Sequence, residues 1–377
     1  MPNDNARPSR PEIVPLTGVR AFAALWVVLF HAQGLIPASW GLLNWFAHLG
    51  ALGVNLFFVL SGFIISFNYW QQFSSFTVQR YRSFLWFRLA RIYPVHLFTL
   101  IGSLVLLVGV RAAHLSTAKD FSHFTVTTFA ANLFLVHAWV PQPVVSWNNP
   151  SWSISAEWFA YLLFPLLAAL KLRKVRLLFI SLLGMVVIPA LPAFVHQTVP
   201  APPFLYLIRV VCGFTAGSLT YLVFVRWQMI VHFGKTLVCS AAAAFLAILA
   251  LEWHFNSAVD PEWILSPEWI AVAFPLAILA LASSKGIVAY LFSTKPAVYW
   301  GRVSYSLYMT HAMTLWVLKA VIPLRPVAPS ILQVVIYVAS IGIVASLTYH
   351  FVEEPARLWM RRLSLPAPKL ASGHDPA

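Results

Sequence analysis

The chain is poor in negative charge. Asp and Glu together number 11 in 377 residues, against 25 Lys and Arg, and all four charged types make up only 10% of the sequence. A soluble domain carries about a quarter charged residues, so a water-solvated globule is excluded. Cysteine is scarce as well: Cys212 and Cys239 are the two present, both inside apolar runs. They supply neither a disulfide framework nor the paired spacing of a thiolate metal site, and no metal is expected. What the chain has in quantity is apolar, with 60% hydrophobic residues. Its formal net charge of +14 would suit nucleic acid if it were gathered on one solvated face. The basic residues fall instead in short clusters between apolar runs, the pattern that sets membrane topology. Membrane lipid is therefore the expected surrounding, with no nucleic-acid partner.

A membrane-crossing helix needs about 20 largely apolar residues. The runs read as spans are 19–36, 49–69, 92–112, 152–170, 177–195, 204–225, 236–252, 268–284, 303–320 and 330–351. The stretch 124–140 is apolar too, but counting it inverts every later loop. With the N-terminus inside and 124–140 re-entrant or interfacial, three clusters fall on the inner side, as the positive-inside rule requires. They are Arg80, Arg82, Arg88 and Arg91; Lys171, Arg173, Lys174 and Arg176; and Arg357, Arg361 and Arg362. The expected fold class is an all-α polytopic membrane protein of about ten transmembrane helices, both termini cytoplasmic. Residues 1–18 read as a cytoplasmic tail, 19–362 as one transmembrane domain, and 363–377 as a disordered cytoplasmic tail. No internal repeat of fixed period is visible, which weakens an inverted-repeat transporter reading.

Polar groups inside such spans are costly and usually face a protein interior or a water-filled cavity. VRAFAALWVVLFHAQGLI places Arg20 and His31 on nearly one helix face, about three turns and roughly 16 Å apart. Topology puts His31, Asn55 and Glu157 at one depth near the outer ends of their spans. A carboxylate beside an imidazole orients it and stabilises its cation, which suits general-base work. The bland alternative is polar glue between helices. Arg88 and Arg91, one helical turn apart in FRLARIYP, can present guanidinium forks to phosphate. Ordinary inner-rim charge is the competing explanation. GRVSYSLYMTH carries Tyr305, Tyr308 and His311, the last two able to share a face. In HFVEEPARLWMRR, Glu354 and Pro355 read as a helix terminator.

These pieces together resemble the acyltransferase type 3 family of membrane-bound acyl-group transferases. The Arg20–His31 span, VNLFFVLSGFIIS, FRLARIYP, PSWSISAEWFAY, GRVSYSLYMTH and VEEPARLWMRR occur in the family's order across nearly the whole chain. The entry to the first span, PLTGVRAF, departs from it, since an acidic residue often precedes the family's Gly-Leu-Arg. The resemblance implies transfer of an acyl group, most often acetyl, from cytoplasmic acyl-CoA to a hydroxyl of an extracytoplasmic glycan. The acceptor would be a sugar of lipopolysaccharide, exopolysaccharide, peptidoglycan or another glycan, or a lipid-linked saccharide, at a bacterial inner membrane. It also implies the stand-alone form, without an added periplasmic domain. His31 would be catalytic, either as base towards the acceptor hydroxyl or as a transient acyl carrier, with Glu157 as its carboxylate partner and Arg20 in the same channel. Arg88 and Arg91 would grip the acyl-CoA phosphates. Asn55, Ser61, Trp152, Ser153, Tyr305, Tyr308 and His311 would support them. Two other classes stay open on the residues alone: a transporter of an acyl donor or lipid-linked sugar, and a structural subunit of an export complex.

Overall fold

The computed structural model describes residues 11–37, 40–114, 121–140, 146–169, 176–178, 180–185, 203–227, 267–283, 286–322 and 330–363. The expected span 236–252, most of 177–195 and the 364–377 tail lie outside them. The longer helices, in chain order, are α1 (Val14–His31), α2 (Gly41–His48), α3 (Leu52–Tyr69) and α4 (Val78–Ala112). Then follow α5 (Val126–Leu133), α6 (Ser151–Ala169), α7 (Pro203–Trp227), α8 (Phe274–Ser283) and α9 (Ile287–Phe292). The series ends with α10 (Lys295–Val321), α11 (Ile331–Thr348) and α12 (Glu354–Arg362).

Six helical stretches among the described residues are long and apolar enough to cross a membrane: 14–31, 41–73, 78–112, 151–169, 206–226 and 331–362. The chain is a multi-pass helical membrane protein. Helix α10 is as long as these, at 27 residues, but it carries Lys295, Arg302 and Lys319 and buries Ser304, Ser306, Thr310 and His311. Its polarity is that of an interior helix, shielded from lipid by its neighbours.

Several boundaries differ from the sequence expectation. Helix α1 starts at Val14 with Pro15 in its first turn, where a missing N–H costs nothing, so it takes in residues assigned to the tail. Helix α4 is continuous through 35 residues, and the Arg80–Arg91 cluster is its first third rather than a preceding loop. The 124–140 stretch holds only the eight-residue α5, about 12 Å of rise and too short to cross as a helix. Pro355 does not end the last span. A π-helical turn at Tyr349–Glu353 precedes it, and Pro355 sits in the first turn of α12, where proline is tolerated.

Small residues set the closest helix approaches. A Cβ on Gly301 would lie 1.9 Å from the Thr17 carbonyl oxygen, so α1 and α10 touch backbone to backbone there. At Gly217 of α7 the same construction meets the Val59 carbonyl of α3 at 1.9 Å. Around these crossings Trp26, Leu52, Val59, Phe63 and Phe274 are buried to 2% exposure or less. Ile331, Leu332, Val335, Val338 and Ile343 of α11 are exposed, as expected of a face whose solvent is hydrocarbon.

Candidate active site

Two cavities lie along α1, one reached by Arg20 near the middle of the helix and one at its His31 end. The first, about 140 Å³, is lined by Arg20 of α1, Ser61 of α3, Arg88 and Arg91 of α4, Ser153, Glu157 and Tyr161 of α6, and Tyr305 and Tyr308 of α10. Its three guanidinium groups are held differently. The Arg88 Nη2 donates to the Tyr69 hydroxyl at 3.1 Å and the cation stacks 5.1 Å from that ring, while its buried Nε has no hydrogen-bond partner among the described residues. Arg91 is ion-paired with Glu353, a carboxylate 1% exposed whose other oxygen accepts from Ser306 Oγ at 2.6 Å. Arg20 makes no hydrogen bond or ion pair with a described residue. Glu157 accepts from the Tyr161 hydroxyl at 2.6 Å, and Ser61 is 3.4 Å from that hydroxyl. Three cations against two carboxylates leave the cavity net positive, with donors unused, and suit it to an anion.

The second cavity, about 320 Å³, is lined by His31, Trp147, Asn148, Asn149, Ala312, Met313, Leu315, Trp316 and Lys319. His31 closes α1 and meets His311 of α10, with 3.2 Å between His31 Nδ1 and His311 Nε2. The two carbonyls beside them favour one arrangement of protons, with the hydrogen on each Nδ1. Leu307 O can only accept, so His311 Nδ1, 3.1 Å away, carries the hydrogen and His311 Nε2 presents a lone pair. His31 Nδ1 lies 3.0 Å from Val27 O and donates, shared between that carbonyl and His311. His31 Nε2 is then the unprotonated nitrogen, which is what a general base requires. The turn beside it is held under strain: Trp147 has a left-handed φ of 52°, fixed by its indole N–H on Thr128 Oγ1 at 3.0 Å.

Tyr308 stands between the arginine cavity and the histidine pair. It lines the arginine cavity, and its ring centroid is 5.9 Å from that of His311. Its hydroxyl is 2.7 Å from Ser153 Oγ and 3.1 Å from the Pro150 carbonyl.

The structure gathers Arg20, Ser61, Arg88, Arg91, Ser153, Glu157, Tyr305 and Tyr308 around one cavity, and His31 with His311 at the other. It separates residues expected to meet. Glu157 is not hydrogen-bonded to His31: it sits among the arginines with Tyr161, one turn along its own helix. Asn55 does not join His31 either, because its side-chain oxygen accepts from Arg209 Nε at 2.7 Å. Trp152 packs against Phe58 and Tyr206, outside both linings. Glu353, Tyr69, Tyr161 and Lys319 were not singled out from the sequence. Glu353 could have been suspected as one of 11 acidic residues in a chain with 25 basic ones.

Comparison with known proteins agrees with the motifs. The chain is 34% identical over 157 residues to an acyltransferase, MdmB, of Streptomyces mycarofaciens, covering 40% of this chain and 38% of that one. It is 24% identical over 374 residues to the peptidoglycan O-acetyltransferase OatA of Listeria monocytogenes, covering 93% of this chain and 57% of that protein. The O-acetyltransferase OatA of Staphylococcus aureus is also 24% identical, over 381 residues, covering 92% of this chain and 58% of its own length. The chain thus spans less than two thirds of the length of these relatives. No solved structure matches it. The pattern of the family described as an acyltransferase domain matches residues 14–350. A match that runs from the first turn of α1 into the π-helical turn takes in both cavities, and this chain belongs to the acyltransferase type 3 family.

Proposed function

We propose that the protein moves an acyl group, acetyl in the first instance, from cytoplasmic acyl-CoA to a hydroxyl of an extracytoplasmic glycan. The membrane would be a bacterial inner membrane. The observation that carries this is the placing of an anion-suited arginine cavity and a histidine cavity about three turns apart along one helix. Arg20 and His31 are about 16 Å apart along α1, close to the reach of an extended pantetheine arm. The arginine cavity is too small for a nucleotide. Arg88 and Arg20 would therefore hold phosphates at its mouth while the arm and acyl group thread past Tyr308. The acceptor hydroxyl gives its proton to His31 Nε2 as its oxygen bonds to the thioester carbonyl carbon. The carbon–sulfur bond then breaks, and the imidazolium returns the proton to the departing sulfur, which leaves as the CoA thiol. His311 keeps His31 in the tautomer that can start this cycle. The relatives' names support a glycan acceptor; lipopolysaccharide, exopolysaccharide, peptidoglycan and lipid-linked saccharides are the candidates.

The test is acyl transfer in sealed, inside-out membrane vesicles supplied with labelled acetyl-CoA, wild type beside His31→Ala at matched expression. Label should enter the glycan fraction in wild type and fall at least about a hundredfold in the mutant, the usual range for a lost general base. Equal labelling in both removes His31 from the chemistry. No labelling from any acyl-CoA, with transport of a donor instead, returns the protein to the transporter class.

A further inference from the structure

The residues around His31 carry information about the acceptor's charge. Lys319, in the last turn of α10, lines the histidine cavity, is exposed, and forms no ion pair or hydrogen bond with a described residue. It is also the charged group whose field reaches His31. No acidic side chain is present in the described lining. Asn149 is exposed at the same cavity, two residues after Trp147 with its left-handed φ. The Trp316 indole is half-buried there, anchored edge-on by Phe121 at 5.8 Å. An indole face, an amide and a lone cation around about 320 Å³ form a site for one small polar ring carrying a negative group.

We propose that the histidine cavity selects an anionic saccharide as acceptor. Lys319 pairs with a carboxylate or phosphate on the sugar, Trp316 packs against the ring, and Asn149 meets its hydroxyls. This rests on the acyltransferase reading above and deepens it: the cation fixes which hydroxyl-bearing sugars approach His31 Nε2. A neutral sugar would fill the same space but leave Lys319 to be desolvated without a partner.

The experiment uses the full chain in zwitterionic lipid nanodiscs with acetyl-CoA and a matched acceptor pair, an oligosaccharide ending in glucose and its glucuronate counterpart. A phosphorylated sugar run alongside distinguishes carboxylate from phosphate. The expected result is a preference for the anionic acceptor of about tenfold in kcat/KM, or about 1.4 kcal/mol, shrinking as salt rises. Lys319→Gln should remove the preference, Lys319→Arg keep it and Lys319→Glu invert it. Transfer without charge preference, or a preference unchanged in Lys319→Gln, overturns the proposal while leaving the acyltransferase reading intact. Absence of transfer to every acceptor counts against that reading instead. Equilibrium binding of the same labelled pair to wild type and Lys319→Gln then decides this one: anionic preference lost in the variant supports it, and equal binding overturns it.

Discussion

At the scale of single residues, Arg88 and Arg91 are one helical turn apart in one motif yet have different work. Arg91 neutralises Glu353, which is buried between α4 and α10; Arg88 is braced by Tyr69, and its buried Nε has no hydrogen-bond partner among the described residues. Arg88→Ala should raise the KM for acyl-CoA roughly ten- to a hundredfold, the worth of a charge-assisted contact of about 1.5–3 kcal/mol. Arg91→Ala should act on the fold first, because it strands a buried carboxylate at a cost of about 3–5 kcal/mol. Adding Glu353→Gln should then recover part of the lost thermal stability in detergent. Wild-type melting in Arg91→Ala would refute the structural role. The sequence marks both arginines, since guanidinium groups beside a long apolar run are conspicuous. It does not separate them, because the partner that occupies Arg91 is 262 residues away. His31 and His311 are a parallel case. Each stands out alone as an imidazole in an apolar run, and their contact spans 280 residues, with no local pattern to announce it.

At the scale of elements, the helices themselves were legible because apolar runs of about 20 residues have few other solutions. Their continuations were not. The π-helical turn at 349–353 carries Glu353 toward Arg91, and a proline two residues later reads from sequence as a stop. The polar interior of α10 likewise disguises a 27-residue helix as a shorter span. On the proposed mechanism how α10 meets α1 decides the chemistry, because the two histidines sit on these two helices and touch. Gly301 permits that approach. Gly301→Ala places a methyl carbon against the Thr17 backbone, where no flexible side chain can yield, so α10 must move off α1. Turnover should fall along with melting temperature, with overpacking of this kind costing about 1–3 kcal/mol. Gly41→Ala, where nothing lies within 4 Å of the added carbon, is the control and should melt like wild type. A Gly301→Ala protein with normal turnover would mean that this approach does not hold the histidines together.

At the scale of the whole molecule, the proposal requires that the two cavities open to opposite sides of the membrane. On the positive-inside expectation the Arg80–Arg91 part of α4 would lie inside, and the roughly 16 Å rise along α1 would carry His31 toward the outside. A donor as charged as CoA and a glycan acceptor would thus never need to share a compartment. Sidedness can be read directly from single cysteines placed in a chain with Cys212 and Cys239 replaced. Arg82 and Asn149 are both exposed, one on the first third of α4 and one at the rim of the histidine cavity. In intact cells stripped of any outer envelope, a membrane-impermeant maleimide should label Asn149→Cys and spare Arg82→Cys, and inside-out vesicles should reverse the pattern. Labelling of both positions from one face would place both cavities in one compartment. The trans-membrane transfer would then fail even if His31 proved essential, because donor and acceptor would have to meet on the same side.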